Sequence, residues 1–181
     1  MTDLKRIMII GQPGSGKSTL ARKLGTITNL PVVHIDHIHW KSGWISRTKA
    51  EKDVLCAQVH AGDKWIFEGG HSRTWTERIE RADMMIALDP PFGLRVWRVL
   101  WRSIKYRGKT RPDLPVGCPE RLNWEFTAWI WNTRHTGRAL MHKALKNAPD
   151  NTIKVHLTSR KGVAEFVKEF SLEHGHKTSP L

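Results

Sequence analysis

The sequence predicts a three-layer α/β fold built on a five-stranded parallel sheet. Three observations support this prediction: five short apolar runs recur along the chain, segments with helical periodicity separate them, and a glycine-rich motif stands between the first run and the first helix. With 181 residues, of which 39% are hydrophobic and 26% charged, the chain has the size and composition of one globular domain.

The predicted strands are residues 5–10, 32–35, 65–67, 84–88 and 153–157. In the first four runs most residues are apolar without alternation, which is typical of strands buried on both faces of a parallel sheet. Acidic residues lie at or just beyond the ends of three of these runs. They are Asp36, Glu68 and Asp89. Because ligands of α/β proteins bind beyond the carboxyl ends of the strands, these acids are candidates for a common site.

Helices are predicted between the strands. The first helix has apolar residues at steps of four and three, which are Leu20, Leu24 and Ile27. A capping box at Thr48 and Glu51 predicts the start of a helix that runs to Ala61, and a second box at Thr74 and Glu77 predicts a short helix.

The helix after the fourth strand is predicted to be amphipathic. Its apolar face consists of Leu94, Trp97, Trp101 and Ile104, and its opposite face carries Arg95, Arg98, Arg102 and Lys105. A long helix is predicted over residues 119–146, and a last helix over residues 162–170. Most of the nine tryptophans have helical spacing that is consistent with core packing. Residues 171–181 are expected to be a frayed terminus.

The net charge of +13, from 30 Lys and Arg against 17 Asp and Glu, favours a polyanionic partner. Nucleic acid, an anionic membrane surface and phosphorylated small molecules all fit this charge. No apolar run approaches the roughly 20 residues of a membrane-spanning helix, and the first residues do not have the pattern of a secretion signal. Cys56 and Cys118 lack metal-site spacing and are interpreted as structural. We therefore expect a cytoplasmic protein.

Residues 11–18 satisfy the phosphate-binding pattern G-x-x-x-x-G-K-[ST] between a predicted strand and a predicted helix. In such loops glycines allow successive backbone N–H groups to face the phosphates, and the helix N-terminus adds its positive end. Lys17 is expected to contact the β- and γ-phosphates of ATP, and Ser18 to ligate Mg²⁺. The predicted ATP-binding residues of this segment are Gly11, Gly14, Ser15, Gly16, Lys17, Ser18 and Thr19.

This loop, together with Asp36, the Glu68-Gly69-Gly70 segment and the Arg98 and Arg102 pair, resembles the adenylate kinase-like branch of the P-loop kinases over most of the chain. The segments YRGKTRPD (106–113) and GCPERLNWEF (117–126) more closely resemble bacterial DNA topology modulation proteins, whose name describes a phenotype. The resemblance implies a P-loop NTPase fold with a small lid, ATP as phosphate donor and Mg²⁺ as cofactor.

The resemblance also implies roles on the acceptor side. In related kinases an acid at the position of Asp36 binds the acceptor, and takes its proton when the acceptor is an alcohol. Glu68 lies where adenylate kinases carry an aspartate that orients Mg²⁺-bound water, although Asp89 resembles a Mg²⁺ acid as well. The remaining acceptor-side candidates are Gly69, Gly70 and Arg73, with a tight turn as the alternative for the two glycines.

Several arginines match phosphate-contacting positions of the family. Arg98 and Arg102 have the four-residue spacing of two arginines that contact base and phosphates in nucleoside monophosphate kinases, and a solvated basic face is the alternative. The segment 106–119 would be the lid, which would exclude water on closing, or else a flexible basic loop. The expected lid residues are Arg107, Arg111 and Arg121. Arg160, after the fifth strand, is placed to cover the adenine base.

The leading hypothesis is an ATP-dependent nucleoside monophosphate kinase that acts on CMP or AMP, with Lys17, Asp36, Arg98 and Arg102 as catalytic candidates. The Asp-Gly-Phe-Pro-Arg stretch of adenylate kinases is replaced here by residues 68–73, so the resemblance does not identify the acceptor. The alternative is a small-molecule hydroxyl kinase similar to shikimate or gluconate kinases, in which Asp36 is the base. A third hypothesis, an ATP-regulated nucleic-acid binder, rests on charge and on the family name and is not favoured.

Overall fold

The computed structural model describes residues 4–120 and 123–175. The strands, in chain order, are β1 (Arg6–Gly11), β2 (Val32–His34), β3 (Trp40–Lys41), β4 (Ile45–Ser46), β5 (Trp65–Glu68), β6 (Met84–Leu88) and β7 (Ile153–Leu157). Five of them form a parallel sheet in the order β2-β5-β1-β6-β7, while β3 and β4 form a small antiparallel pair. The predicted α/β fold with a five-stranded parallel sheet is confirmed.

Eight helices lie within the described residues. They are α1 (Lys17–Thr28), α2 (Ile35–His39), α3 (Lys49–Ala61), α4 (Trp75–Arg81), α5 (Phe92–Lys105), α6 (Trp124–Asn132), α7 (Arg134–Lys146) and α8 (Arg160–His174). None of the helices in this part of the chain is both long enough and apolar enough to cross a membrane.

Successive residues of the central strand supply the two halves of the core. Ile7 and Ile9 pack with α1 and α8, whereas Met8 and Ile10 pack with α3, α4 and α7 on the opposite face of the sheet. All four side chains are fully buried. Burial of each such side chain contributes about 1.5–3 kcal/mol, which explains why β1 is apolar without alternation.

The sheet register brings the segments that follow four strands to one edge. Ile9 of β1 is level with Glu68 of β5, and His34 of β2 is level with the same glutamate. On the other side of β1, Gly11 is level with Leu88 of β6. The phosphate loop, the residues after β2 and the residues after β5 are therefore neighbours at this edge.

The second strand is shorter than predicted. It ends at His34, and the next five residues form α2 instead of continuing the strand through residue 35. Ile35 and Ile38 are three residues apart and both are buried, which is the spacing of one helical face. Asp36 consequently lies in the first turn of a helix rather than at the end of a strand.

One of the two predicted capping boxes is present. At the start of α3, Thr48 accepts from the backbone N–H of Glu51, and the Glu51 carboxylate accepts from the backbone N–H of Thr48. The box predicted at Thr74 is wrong. The Thr74 hydroxyl donates to the His71 carbonyl and accepts from Arg78, so it does not cap α4.

The predicted helix over residues 119–146 is two helices, α6 and α7, that meet at Thr133. The Asn123 side chain caps α6 by accepting from the backbone N–H of Phe126. At the break, the Thr133 hydroxyl donates to the Trp129 carbonyl, and Gln12 of the phosphate loop donates to the Thr133 carbonyl. At the other end of the chain, α8 continues through residue 174, so the terminus expected to fray from residue 171 is helical over its first four residues.

The apolar stripe of α5 predicts that its tryptophans face the core, but the helix is turned the other way. Trp97 is 57% exposed and Trp101 54%, whereas Arg95 on the opposite face is 3% exposed. The two tryptophan rings stack on each other at the surface. Three tryptophans of α6, Trp124, Trp129 and Trp131, are also half or more exposed, so the expectation that most tryptophans pack in the core is wrong. The basic face of α5 instead faces the phosphate loop.

Candidate functional site

The loop between β1 and α1 has the backbone conformation that its glycines allow. Gly14 has φ +76° and Gly16 has φ +102°, both in the left-handed region that other residues rarely adopt. A Cβ atom at Gly14 would overlap the carbonyl oxygen of Arg95, so α5 lies directly against the loop. Arg98 of α5 donates to the carbonyls of Gly14 and Ser15 over 3.3 and 3.1 Å. The loop is thus held from the side by α5.

Lys17, the first residue of α1, lies between the loop and two carboxylates. Its Nζ donates to the Gln12 carbonyl over 3.2 Å. Burial lowers the pKa of Lys17, and the nearby charges of Glu68 and Asp36 oppose this shift. A buried ammonium without a full ion pair is suited to bind an anionic group such as a phosphate.

Ser18 and Glu68 place two oxygen atoms that could ligate a metal ion beside Lys17. The Ser18 hydroxyl donates to Glu68 Oε1 over 3.0 Å, and His34 Nδ1 lies 2.7 Å from the same oxygen. Glu68 is 3% exposed. Hydroxyl and carboxylate oxygens are the ligands that Mg²⁺ prefers, so the residues present fit this ion.

The Ser15 hydroxyl adds a further polar atom to the loop. It is buried and finds no hydrogen-bond partner among the described residues. Phosphate oxygens accept hydrogen bonds, so an unpaired hydroxyl here fits a nucleotide. Gly11 begins the loop, where a Cβ would crowd the Leu88 carbonyl, and Thr19 is an exposed residue of α1.

Asp36 reaches the same region from α2. Burial raises the pKa of its carboxyl, and the charge of Glu68 raises it further, while Lys17 and Arg111 act in the opposite direction. A carboxylate that is easier to protonate than usual and lies near two cations can accept a proton from a bound hydroxyl.

Arginines surround this region. Burial lowers the pKa of Arg102, and the neighbouring charge of Arg111 lowers it further, while Glu120 opposes the shift. Burial and the charge of Arg160 lower the pKa of Arg98. The structure therefore brings Arg98, Arg102 and Arg160 to the side of the phosphate loop, although they start from α5 and α8.

The segment predicted to be a lid is docked on the residues that follow β2. His37 Nε2 lies 3.4 Å from the Pro112 carbonyl, and Trp44 Nε1 donates to the Pro119 carbonyl over 3.0 Å. Cys118 is fully buried and lies against the Lys41 carbonyl. Lid motion remains a prediction for this segment.

The three lid arginines have different positions. Arg111 is buried, 2.6 Å from Asp113 and 2.5 Å from Glu120. Arg107 is exposed, and its backbone bridges to Glu120. Arg121 lies outside the described residues.

The acceptor-side candidates after β5 are only partly assembled. Gly69 has φ +118°, and a Cβ there would overlap Ile35, whereas nothing lies within 4 Å of a Cβ at Gly70. Arg73 pairs with Asp53 of α3 over 3.1 Å, and its side chain is 61% exposed. The structure therefore ties Arg73 to α3.

Sequence reasoning missed Arg78, which is fully buried behind the Gly69 turn. It donates to the Gly69 carbonyl over 3.2 Å and its guanidinium lies 3.8 Å above the Phe67 ring. Nothing in the sequence distinguishes it from the exposed Arg81 of the same helix. His34 offers a signal in the sequence, because it is a polar residue near the end of the second predicted strand, and the structure places it level with Glu68.

Comparisons with known proteins were made for the whole chain. No protein-family model matches it, and no curated relative was found. Solved structures do match. The shikimate kinase from Acinetobacter baumannii in complex with shikimate has a TM-score of 0.56 and 14% identity, over 97% of this chain and 96% of that chain. The chain has the fold of a P-loop kinase.

Two further shikimate kinases agree. The enzyme from Aquifex aeolicus has a TM-score of 0.57 and 17% identity, over 93% of this chain and 94% of that one. The enzyme from Bacteroides thetaiotaomicron has a TM-score of 0.55 and 15% identity, over 94% and 98%. At these identities the likeness establishes the fold alone. The comparisons do not support the resemblance to DNA topology modulation proteins, which stays a prediction.

Proposed function

We propose that the protein is an ATP-dependent phosphotransferase that acts on a hydroxyl group of a small molecule. The observation that carries this proposal is the placement of Asp36 with Lys17 and Glu68 beside the phosphate loop. The likeness to shikimate kinases over nearly the whole length of both chains supports the hydroxyl acceptor over the nucleoside monophosphate.

The loop would bind the phosphates of ATP. The backbone N–H groups of the loop and the N-terminus of α1 attract the anion, and Lys17 neutralises charge on the β- and γ-phosphates. Arg98 and Arg102 add positive charge from α5, and Arg160 lies near Arg98, where it would cover the base. Ser18 and Glu68 would hold Mg²⁺, which supplies charge neutralisation between the phosphates when it is bound.

Asp36 would act as the general base. It takes the proton of the acceptor hydroxyl, the oxygen forms a bond to the γ-phosphorus, and the bond between that phosphorus and the bridging oxygen breaks to release ADP. A general base is more effective when its pKa lies closer to neutral pH than that of an ordinary exposed aspartate. Burial and the charge of Glu68 raise the pKa of Asp36 in that direction. The acceptor would lie beside Asp36 and Gly70, and nothing lies within 4 Å of a Cβ at Gly70.

The sequence favours a nucleoside monophosphate acceptor, CMP or AMP. Its phosphate is already ionised and needs no base. The raised pKa of Asp36 would be of no use to such a reaction, and a carboxylate near an anionic acceptor would repel it. The site chemistry thus favours the alcohol.

The test measures ADP formation from Mg·ATP with a panel of alcohols, including shikimate and gluconate, and with nucleoside monophosphates. We expect turnover with an alcohol, and a loss of at least about 10²-fold in kcat for Asp36→Asn, within the range of general-base contributions. Asp63→Asn is the matched control, because Asp63 is exposed and precedes β5 at the opposite edge of the sheet.

Two outcomes would contradict the proposal. Turnover with a monophosphate that Asp36→Asn leaves nearly unchanged would establish the nucleotide kinase instead. Binding of Mg·ATP without turnover on any acceptor, together with tight ATP-dependent binding to duplex DNA at physiological salt, would favour the nucleic-acid hypothesis.

A further inference from the structure

A second group of metal-ligating side chains lies on the α7 face of the sheet, around Asp89. Asp89 follows β6, His142 lies on α7 and His156 on β7, and one ligand atom of each lies within 4.8 Å of the other two. The Asp89 side chain is 6% exposed, whereas the His142 and His156 side chains are 43% and 36% exposed. The cluster is thus open to solvent on one side and anchored on the other.

The pairing of β6 with β7 and the packing of α7 position these three residues. The backbone N–H of Asp89 donates to the Leu157 carbonyl, which fixes the end of β6 against β7. His156 is level with Ala87 in the sheet, and α7 packs on that face through Met141. The two imidazole rings meet edge to face, with centroids 5.2 Å apart.

The distances suit a tetrahedral ion. His142 Nε2 lies 3.0 Å from Asp89 Oδ2, and His156 Nε2 lies 3.7 Å from the same oxygen. Ligands about 2.0–2.1 Å from a tetrahedral Zn²⁺ are about 3.3 Å from each other, so the observed separations lie on either side of this value. Two imidazoles with one carboxylate favour a transition metal over Mg²⁺ or Ca²⁺.

Arg138 contacts the same carboxylate. Its Nε donates to Asp89 Oδ2 over 2.7 Å, and its side chain is 57% exposed. An exposed guanidinium can leave the carboxylate for solvent at little cost, because exposed ion pairs contribute little. Arg138 therefore occupies the oxygen that a metal ion would need, and the two would compete for it.

We propose that Asp89, His142 and His156 form a binding site for one divalent transition-metal ion of the Zn²⁺ type, with water as the fourth ligand. Binding displaces Arg138 from Asp89 Oδ2. The site is separate from the Ser18 and Glu68 pair proposed for Mg²⁺, and it does not depend on the phosphotransferase reaction.

The experiment uses the full chain without a histidine tag, stripped of metal with a chelator. Zn²⁺ binding is measured by competition with a chromogenic chelator, and Co²⁺ binding by the visible absorption of a tetrahedral centre. We expect one equivalent to bind. His142→Ala and His156→Ala should each weaken binding by at least about a hundredfold, since loss of a supporting residue alone costs 10–100-fold.

The decisive variant is Arg138→Gln. Removal of a competing positive charge should strengthen Zn²⁺ binding by about tenfold. A merely structural Asp–His–Arg network would show no such gain. His135→Ala is the matched control, because His135 is an exposed histidine of the same helix.

The thermal unfolding midpoint of each variant, measured in the presence of chelator, shows whether the variant is folded. Because His142 and His156 lie on different elements, the test can still be read if one of the two variants misfolds. The proposal is overturned if the native chain binds no Zn²⁺ saturably, or if both histidine variants bind it as the native chain does. Weaker binding by Arg138→Gln would also overturn the competition with Arg138.

Discussion

Ser18 and Glu68 are 50 residues apart in the chain, yet the Ser18 hydroxyl donates to Glu68 Oε1 over 3.0 Å. The contact arises because β5 is the parallel neighbour of β1, with Glu68 level with Ile9 just before the phosphate loop. Glu68 is the last residue of β5, and from there its side chain reaches Ser18 in the first turn of α1. The pair supports Glu68 of β5 as the ligand of the proposed Mg²⁺ site, while Asp89 after β6 is engaged with Arg138 and His142.

Glu68→Gln should weaken Mg²⁺-dependent nucleotide binding. The amide keeps the size of the side chain but removes the negative charge, so we expect Mg·ADP affinity to fall about 10–100-fold while Mg²⁺-free ADP binds as tightly or more tightly. Titration calorimetry with and without Mg²⁺ measures both. Glu165→Gln, an exposed change on α8, is the control. Equal loss with and without Mg²⁺ would refute the metal role.

Gly14→Ala should destabilise the protein more than Gly108→Ala. Both glycines have nearly the same backbone, with φ +76° and +72°, so both substitutions carry the left-handed strain of about 1–2 kcal/mol. Only at Gly14 would the new methyl group overlap the Arg95 carbonyl, whereas nothing lies within 4 Å at Gly108. Urea unfolding should show an additional loss of about 1–3 kcal/mol for Gly14→Ala. Equal losses would mean that α5 does not press on the loop.

The phosphate loop could be predicted from sequence because its chemistry is local: the motif sets the turn, and the apolar runs on either side set the strand and the helix. The sequence predicts the region of Asp36, just beyond the second strand, but not the helix α2 in which it lies. Ile35 and Ile38 mark a helical face, but a five-residue helix is too short for the periodicity to stand out from a strand end. The burial of Arg111 could not be predicted in this way, because its ion pairs with Asp113 and Glu120 depend on how a long loop docks.

Arg111→Met should destabilise the fold strongly. Arg111 is buried against Asp113 and Glu120, and Glu120 also accepts from the Ser103 hydroxyl. Loss of the guanidinium removes the nearest cation from two buried carboxylates, which Arg22 and Arg102 approach only to 3.8 Å, and this costs about 3–5 kcal/mol. Arg107→Met, on the exposed side of the same segment, should change the free energy of unfolding by less than about 0.5 kcal/mol.

Chemical denaturation of both variants at neutral pH tests this difference. Similar small effects in both would show that Arg111 is not held as described. A small loss for Arg111→Met that becomes large at low pH would be the wrong sign, because protonation of Asp113 and Glu120 removes the buried negative charges that Arg111 neutralises.

His60 should make the protein less stable in mild acid. Burial and the charge of Arg78 lower the pKa of His60 to about 4 in the folded state, against 6.5 when it is unfolded. The geometry agrees, because His60 Nε2 lies 3.4 Å from the donor Nε of Arg78 and must be unprotonated to accept. Above pH 6.5 both states are neutral. Between pH 6.5 and 4 only the unfolded state takes up the proton, so stability falls as pH falls.

The loss attributable to His60 should reach about 3 kcal/mol at pH 4, because its pKa is 6.5 in the unfolded state and about 4 in the folded state. Urea unfolding at several pH values from 7.5 to 4 gives the free energy of unfolding as a function of pH. The contribution of His60 is the difference between the slopes of these plots for the native chain and for His60→Gln. The comparison between the two chains removes the contribution of the other titrating groups. Parallel pH profiles would show that His60 titrates alike in both states.

The sequence could not show which face of α5 is buried. A stripe of large apolar residues predicts an inward face by burial energy alone, and that reasoning succeeded for α1. In α5 the opposite stripe carries Arg98, whose hydrogen bonds to the phosphate loop require it to point inward. The polar contacts of Arg98 and the burial energy of the apolar stripe conflict in this helix, and the arginine face is the one that is turned inward.

Replacement of both Trp97 and Trp101 by Gln should therefore leave stability nearly unchanged. Each side chain is more than half exposed, so the double variant should lose less than about 1 kcal/mol. Trp65, which is 1% exposed in the core, is the contrast: Trp65→Ala should cost about 3–5 kcal/mol. Urea unfolding monitored by far-UV circular dichroism avoids the change in tryptophan fluorescence. A loss for the surface pair as large as that for Trp65 would mean that the apolar face of α5 is buried after all.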